Sequence, residues 1–370
     1  MAMLPWQSCA VGDAVDSIDT PALVLDLDAF ERNLDQIMAA AGGMRVRPHA
    51  KSHKCPEVAR QQIKRGAVGI CCQKLSEAAV FAQAGIQDIL LTNQVVGPRK
   101  LQRLRDLSQQ VKLGVLVDDA RQIQALAQVM ATQTRSLDVY VEVEVGAGRC
   151  GASPEAVLPL VQQILVCPGL QFAGLHCYHG PAQHLRNTEQ RSQTIAGVAQ
   201  IIAKTQATLE AAGIAVPCVT GAGTGTFWHE RDSGVYHEVQ AGSFAFMDRD
   251  YASNVAGPGD VRFEHALFIK TTVLSATKPN IAIVDAGLKA SSVDSGMPAV
   301  HSPKGLKYLK ASDEHGVIEL ESGQRLELGD TLWLIPGHCD PTMNLYDDLV
   351  CIRDGKVEAI WPIAARGASL

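Results

Sequence analysis

Hydrophobic positions along the chain fall into two textures. In the first, short β-rich runs alternate with stretches whose apolar residues recur at helical spacing. The runs are TPALVLDL (20–27), RVRPHA (45–50), AVGICCQ (67–73), DILLTN (88–93), KLGVLVDD (112–119), LDVYVEVEVG (137–146), LQFAGLHCYHG (170–180), PCVTGAGTG (217–225) and HEVQAGSFAFM (237–247). Between them lie helical stretches such as DAFERNLDQIMAAAGG, KLSEAAVFAQAG and RSQTIAGVAQIIAKTQATLEAAG. Several runs are apolar throughout rather than alternating, as expected of strands buried between helices in a parallel sheet. Eight of them, from Arg45 to Met247, make a (β/α)8 TIM barrel the expected fold, with an open doubly wound sheet as the alternative.

The second texture begins after SNVAGPGD (253–260). ALFIKTTVLSAT, IAIVDAG, LKYLKA, GVIELES, TLWLIP and LVCIRDGKVEAIW read as strands with little helix between them. Asp354-Gly355 is a type I′ hairpin signal. The fold class is therefore α/β, a TIM barrel plus a C-terminal all-β domain. The expected boundaries are 21–258 for the barrel and 1–20 with 259–370 for the β domain, which the first strand can also join.

Composition narrows the function. With 46% hydrophobic and 19% charged residues among 370, the chain can bury a large core. A net charge of −6 offers nothing to nucleic acid or an anionic membrane. No apolar run reaches the roughly 18 residues of a membrane span. The start, MAMLPWQSCAVGDAVDS, lacks the charged and continuously apolar regions of a signal peptide, so a cytoplasmic enzyme is expected. Ten cysteines without a C-x-x-C pair suit a reducing compartment, and adjacent Cys71 and Cys72 read as core residues on opposite faces of a strand.

Barrel active sites lie at the C-terminal ends of strands. At the first such end stands RPHAKSHK, where an extended chain would put Arg47, His49, Lys51 and His53 on one face. Burial there would depress the pKa of Lys51 and make it nucleophilic, as Schiff-base chemistry requires. Thr220-Gly221-Ala222-Gly223-Thr224-Gly225-Thr226 and Gln240-Ala241-Gly242-Ser243 fall at the last two strand ends, where barrels bind phosphate. A lysine facing a phosphate cup suits pyridoxal 5′-phosphate. Arg149 in GAGRCG could meet that cofactor, and His176, His179 and His184 cluster on one strand end and loop. In the β domain, extended PGHCDPT would present His338 and Asp340 to one ion, a mixture suiting Mn²⁺ or Mg²⁺, with zinc also open. Asp313-Glu314-His315-Gly316 reads as a pocket wall or a hairpin corner.

These motifs, in the order RPHAKSHKCPE, GICCQKLSEA, GAGRCG, YHG with QH, TGAGTGT, QAGSFAFMDRDY, VDAGLKA, SDEHG and PGHCDPT, resemble the bacterial D-threonine aldolases and the related D-3-hydroxyaspartate aldolases. The resemblance runs from about Thr20 to Gly367. It implies an alanine-racemase-like fold, with the first strand in the β domain and active sites at a homodimer interface. Lys51 would hold pyridoxal 5′-phosphate covalently. Gln73, Arg149, Tyr178, Thr220, Gly223, Thr224, Gly225, Gly242 and Ser243 would complete the cofactor site. His338 and Asp340 would bind a divalent metal, Mn first, with Mg, Co or Zn as options. His184 would act as the base on the substrate hydroxyl. Ala222 stands where relatives are expected to carry glycine. The dehydratase branch of the family carries His-x-Cys where this chain has His338-x-Asp340, which favours cleavage over elimination. The implied substrate is a small D-β-hydroxy-α-amino acid. The remaining alternatives are a dehydratase, a non-catalytic pyridoxal-phosphate-binding protein, and a binuclear-metal hydrolase using His49, His53, His176 and His179.

Overall fold

The structure, a computed structural model, describes residues 7–370. Residues 1–6, which open both the expected 1–20 segment and the stretch read against a signal peptide, lie outside the described residues. In chain order the elements begin with β1 (Ala22–Asp26), α1 (Leu27–Ala40), β2 (Arg45–Val46), α2 (Pro56–Lys64), β3 (Ile70–Cys72), α3 (Leu75–Gln83), β4 (Asp88–Gln94), α4 (Pro98–Ser108), β5 (Lys112–Val117) and α5 (Ala120–Met130). There follow β6 (Leu137–Glu142), α6 (Pro154–Val166), β7 (Leu170–Cys177), α7 (Thr188–Ala211), β8 (Val219–Gly221), α8 (Phe227–Ser233), β9 (Glu238–Val239) and α9 (Arg249–Ala252).

Strands β2 to β9 form one parallel eight-stranded sheet in the order β2-β9-β8-β7-β6-β5-β4-β3. It closes through a bridge between His49 and Cys71, with Cys71 N donating to Pro48 O at 2.8 Å and Val68 N to Val46 O at 2.9 Å. This is the expected barrel. The strands are buried on both sides, which is why they read as apolar runs. Cys72 joins Ile70, Ile89 and Val115 in the core under the helices, whereas Cys71 packs inside the barrel with Leu90, Leu116 and Tyr140. The adjacent cysteines thus face opposite ways, both fully buried.

The rest is β10 (Leu267–Lys278), β11 (Ile281–Val284), β12 (Ala299–Ser302), β13 (Leu306–Ala311), β14 (Gly316–Leu320), β15 (Thr331–Ile335), α10 (Cys339–Met343), β16 (Asp348–Arg353) and β17 (Lys356–Pro362). These strands form a nine-stranded sheet with β1, which lies between antiparallel β10 and parallel β16. The boundary expected at residue 21 is therefore corrected: 22–26 belong to the β domain. An ALVL run suits any doubly covered strand, and only pairing with residues about 240 and 325 positions away decides its sheet. Asp354 and Gly355 carry φ of 49° and 73° and turn β16 into β17, as a type I′ hairpin requires. Residues 312–315 form the corner between β13 and β14, with Ser312 N bonded to His315 O at 2.8 Å.

Helix α1 follows β1 directly. Asp26 caps it by accepting from Ala29 N at 3.0 Å, and Leu27, Phe30, Leu34 and Ile37 bury one face against both domains. A second junction fixes the site. Arg249 N and Asp250 N donate to Pro336 O and Gly337 O (3.0 and 3.1 Å). Buried Asp248 accepts from Tyr251 N and Cys339 N, both at 2.9 Å. One carboxylate thus caps α9 and α10 and seats the PGHCDPT segment on the mouth of the barrel.

Candidate active site

At the C-terminal ends of the strands is a cavity of about 250 Å³. Lys51, Gln73, Arg149, Tyr178, His184, Gly223, Thr224, Gly242 and Ser243 line it, so most of the expected site residues meet there. His49, Thr92, His176, Gln240 and Tyr251 complete the wall.

Lys51 sits in a short 3₁₀ turn, Ala50–Ser52, just past β2. The chain leaves the extended form there, so the expected common face of four residues is only partly formed. Arg47 points into the barrel and pairs with Glu238 (3.0 Å) and Asp88 (2.6 Å). His53 turns into the core against Phe81, where burial lowers it to about 3. His49 stays in the cavity and accepts from Lys51 N at 3.3 Å through Nδ1, so Nε2 is the donor to Thr92 Oγ1 at 2.8 Å. Burial, with Lys51 beside it, keeps this imidazole neutral. The expected depression of Lys51 is also corrected. Burial works in that direction, but Nζ is bonded to the Asp340 carboxylate, which outweighs it and raises the pKa. His179 binds Ala182 N through Nδ1 and lies outside the cavity wall, so the four histidines of a binuclear hydrolase do not converge.

The two glycine-rich loops follow the adjacent strands β8 and β9, and both line the cavity. A Cβ on Gly223 would stand 2.5 Å from Gln183 Oε1, and one on Gly242 would stand 2.8 Å from His49 O, so only glycine fits. Phe244 N donates to Thr224 Oγ1 at 3.0 Å and ties the loops together. Among the described residues, the amides of Gly223, Thr224, Gly242 and Ser243 meet no protein acceptor. Four open N–H groups beside a lysine fit the phosphate and aldehyde ends of pyridoxal 5′-phosphate. Two expected contacts fall outside this cup. Gly225 N is taken by Gln183 Oε1 at 3.0 Å, and Thr220 lies deeper in the barrel, bonded to Glu238 and Gln240. Ser243 also differs in detail, its hydroxyl donating to Asp340 Oδ1 at 3.0 Å.

Ala222 adopts φ of 68° with its methyl group buried. The left-handed conformation costs alanine about 1–2 kcal/mol. Burying the methyl group returns about 0.8 kcal/mol, and a less flexible unfolded chain returns about 0.4–1 kcal/mol. Ala222→Gly is therefore expected to be near neutral in urea unfolding and to keep cofactor affinity; a large change in either would mean that the methyl group shapes the cup.

On the opposite wall, Arg149 lies over Tyr178, with 5.7 Å from guanidinium carbon to ring centroid, and 3.5 Å from Glu142 Oε1. Burial raises the Tyr178 hydroxyl against the pull of Lys51 and Arg149. Burial pushes Glu142 the same way, but His176, Gln94 and Arg149 bring it down to about 2. Glu142, Asp118 and Cys150 form a cluster of metal-ligand type. Gln94 Nε2 already donates to both carboxylates there (2.5 and 3.1 Å), and Gly151 N to Asp118 at 3.0 Å, so amides take the place of a cation.

His338 and Asp340 do converge, by another route than an extended segment. His338 is the N-cap residue of α10 and Asp340 lies in its first turn, which brings His338 Nε2 to 3.9 Å from Asp340 Oδ1. Cys339 is fully buried, and its Sγ donates to Asp340 Oδ1 at 3.3 Å. His338 Nδ1 is 2.8 Å from Asp294 Oδ2. That carboxylate fixes the proton on Nδ1 and leaves Nε2 free beside Asp340, the usual arrangement behind a histidine metal ligand. Burial opposes charge at both groups. Their mutual attraction, with Asp294 and Lys51, raises His338 and holds Asp340 well below the usual carboxylate range. An imidazole nitrogen and a carboxylate oxygen at this spacing, with a cation already drawn to Asp340, fit a divalent metal. Asp294 had no signal in the sequence, lying 44 residues from its partner.

Comparisons with known proteins agree with this geometry. The family model for the alanine racemase N-terminal domain matches residues 25–250, and that for a putative serine dehydratase domain matches residues 266–352. The chain is 49% identical to a D-threonine aldolase of Arthrobacter sp, over 97% of this chain and 95% of that relative. It is 46% identical to a 3-hydroxy-D-aspartate aldolase of Paracoccus denitrificans, over 95% and 92%. The solved structure of D-threonine aldolase from Filomicrobium marinum superposes with a TM-score of 0.96 at 44% identity, covering 98% of this chain and all of that one.

Proposed function

The chain belongs to the alanine-racemase-like family that includes the D-threonine aldolases, and from that premise we propose that it cleaves D-β-hydroxy-α-amino acids, D-threonine into glycine and acetaldehyde. The observation that carries this reading is that Lys51 and His184 line one cavity while Lys51 Nζ is bonded to Asp340, the neighbour of His338, although these residues come from both domains. Pyridoxal 5′-phosphate when bound accepts the electron pair left at Cα, while a divalent cation, Mn²⁺ first, polarises the substrate hydroxyl.

The protein's own groups supply the rest. Lys51 Nζ is the covalent anchor for the cofactor, and the amides of Gly223, Thr224, Gly242 and Ser243 hold its phosphate. Arg149 and Tyr178, which line the cavity, would contact its ring, and Gln73 adds a polar wall braced by Thr92. His338 Nε2 and Asp340 would hold the cation, which would supply Lewis-acid polarisation of the substrate hydroxyl. His184 takes the hydroxyl proton as general base. The side chains of Lys51 and Arg149 remain 44% and 53% exposed, an open mouth that suits completion by a second subunit in a homodimer. The ten cysteines are all free, which suits the cytoplasm, and no described helix is long and apolar enough to cross a membrane.

Product analysis tests the reading. Purified protein with pyridoxal 5′-phosphate and Mn²⁺ is expected to convert D-threonine to glycine and acetaldehyde, or D-3-hydroxyaspartate to glycine and glyoxylate, and to stop on addition of EDTA. Ammonia and a keto acid would instead establish dehydration, the second reading, which the match of 266–352 to a serine dehydratase domain keeps open. Asp294 gives a further check. Asp294→Ala frees the His338 ring and is expected to weaken Mn²⁺ binding by about 10–100-fold in a calorimetric titration of the cofactor-loaded enzyme. Unchanged affinity would remove Asp294 from the metal site.

A further inference from the structure

His184 does not act alone. It lies in the 3₁₀ turn Pro181–His184, with its ring on the cavity wall and 5.4 Å from that of Tyr251. Behind it, Nδ1 is 2.5 Å from Oδ2 of Asp250, whose side chain is only 5% exposed. The other carboxylate oxygen, Oδ1, accepts from Arg186 Nη2, and the backbone oxygen of Asp250 accepts from Arg186 Nη1 at 2.6 Å. Arg186 is held in turn by Asn254 Oδ1 at 2.8 Å. Asp250 N donates to Gly337 O, so the carboxylate is anchored to the segment that carries His338.

We propose that Asp250, fixed by Arg186, is the positioning residue that sets the tautomer and aim of His184; this rests on the reading of His184 as general base. An ionised carboxylate only accepts hydrogen bonds, so the proton of the neutral imidazole resides on Nδ1. Nε2, at the far side of the ring, keeps its lone pair for the substrate hydroxyl proton. Arg186 makes the arrangement one-way. Its guanidinium only donates, so whatever replaces Asp250 must turn an acceptor toward Arg186.

Asp250→Asn then has a defined consequence. The amide oxygen takes the position facing Arg186 and the NH₂ group faces His184 Nδ1. The ring must accept there, its proton moves to Nε2, and the base is lost although every heavy atom keeps its place. Where such a switch occurs behind a catalytic histidine, turnover falls by about 10⁴-fold.

The test uses holoenzyme with pyridoxal 5′-phosphate and Mg²⁺, ¹⁵N-labelled at histidine. Without substrate, the wild type is expected to show His184 with its proton on Nδ1 and Asp250→Asn with it on Nε2. The variant should lose about 10³–10⁴-fold in kcat while cofactor absorbance, metal content and KM hold. Adding Arg186→Met to Asp250→Asn frees the amide to turn its oxygen to His184. That double variant is expected to regain about ten-fold or more over the single one and to restore the proton to Nδ1. A purely structural Asp250–Arg186 pair predicts the reverse, with the double variant worse than the single. A wild-type ring protonated on Nε2, or an Asp250→Asn tautomer that does not change, would overturn the proposal. His184→Asn separates the two layers: full turnover there would end the base reading, while the wild-type tautomer would still decide the role of Asp250.

Discussion

Lys51→Ala is expected to lower turnover by about five orders of magnitude and to abolish covalent attachment of the cofactor. Borohydride reduction followed by mass spectrometry should label the Lys51 peptide of the wild type and no peptide of the variant. The physical reason lies in what surrounds the amine. Lys51 stands just past β2, beside β9 and the glycine loops with open amides, and its backbone is pinned by His49 Nδ1. Its charge is also the partner of Asp340. On the proposed reading two cations would compete for one carboxylate, the ammonium of Lys51 and the divalent metal. Lys51→Arg separates the roles, since it keeps the charge and loses the nucleophile. The arginine variant is expected to be as inactive as the alanine one but to bind Mn²⁺ more weakly in the absence of cofactor, because its charge still competes. Appreciable turnover by Lys51→Arg would show that Lys51 acts through charge alone and would overturn the covalent reading.

Much of this competition was visible along the chain in pieces, but not as a pair. The barrel was legible because its strands are buried on both faces, so ICC, ILL and VLV stand out as apolar runs. Lys51 and the glycine loops were legible because a lysine and runs of glycine fall at strand ends, and the structure brings them to one cavity. His338 and Asp340 were found from their spacing, yet they meet through a helical first turn rather than an extended strand. Local pattern said nothing of Asp250, Gln94 or Asp294. Each completes a polar contact across 66, 48 and 44 residues respectively, and such contacts exist only once those distant segments are folded together. Local pattern alone left the home of β1 open as well, and only the family resemblance pointed to the β domain. Apolar sequence tells that a strand is covered, and pairing partners tell by what.

A second large effect arises at Glu230, which no sequence pattern marked. It lies in α8, next to the glycine-rich 220–226 loop, and is 1% exposed. Oε1 accepts from Thr226 Oγ1 at 2.7 Å, while Oε2 has no partner. Burial raises its pKa from 4.5 to about 7. Between these values the folded chain keeps a proton that the unfolded chain has released, so stability falls as pH rises, by about 3 kcal/mol in all. Above pH 7 the whole penalty is present. Glu230→Gln keeps an acceptor for Thr226 and cannot ionise. It leaves one polar group unpartnered, as does the protonated carboxyl, so the two chains should match near pH 4.5. At pH 8 the variant is expected to be more stable by about 3 kcal/mol in urea unfolding. His53 acts in the opposite direction. It is buried and held neutral, so its contribution is lost as pH falls below 6.5 toward its folded value near 3. The absolute curves therefore combine both groups, whereas the difference between variant and wild type isolates Glu230. A difference that stays flat from pH 4.5 to 8 would mean that Glu230 ionises freely in the folded protein, with water reaching Oε2 beneath the glycine-rich loop.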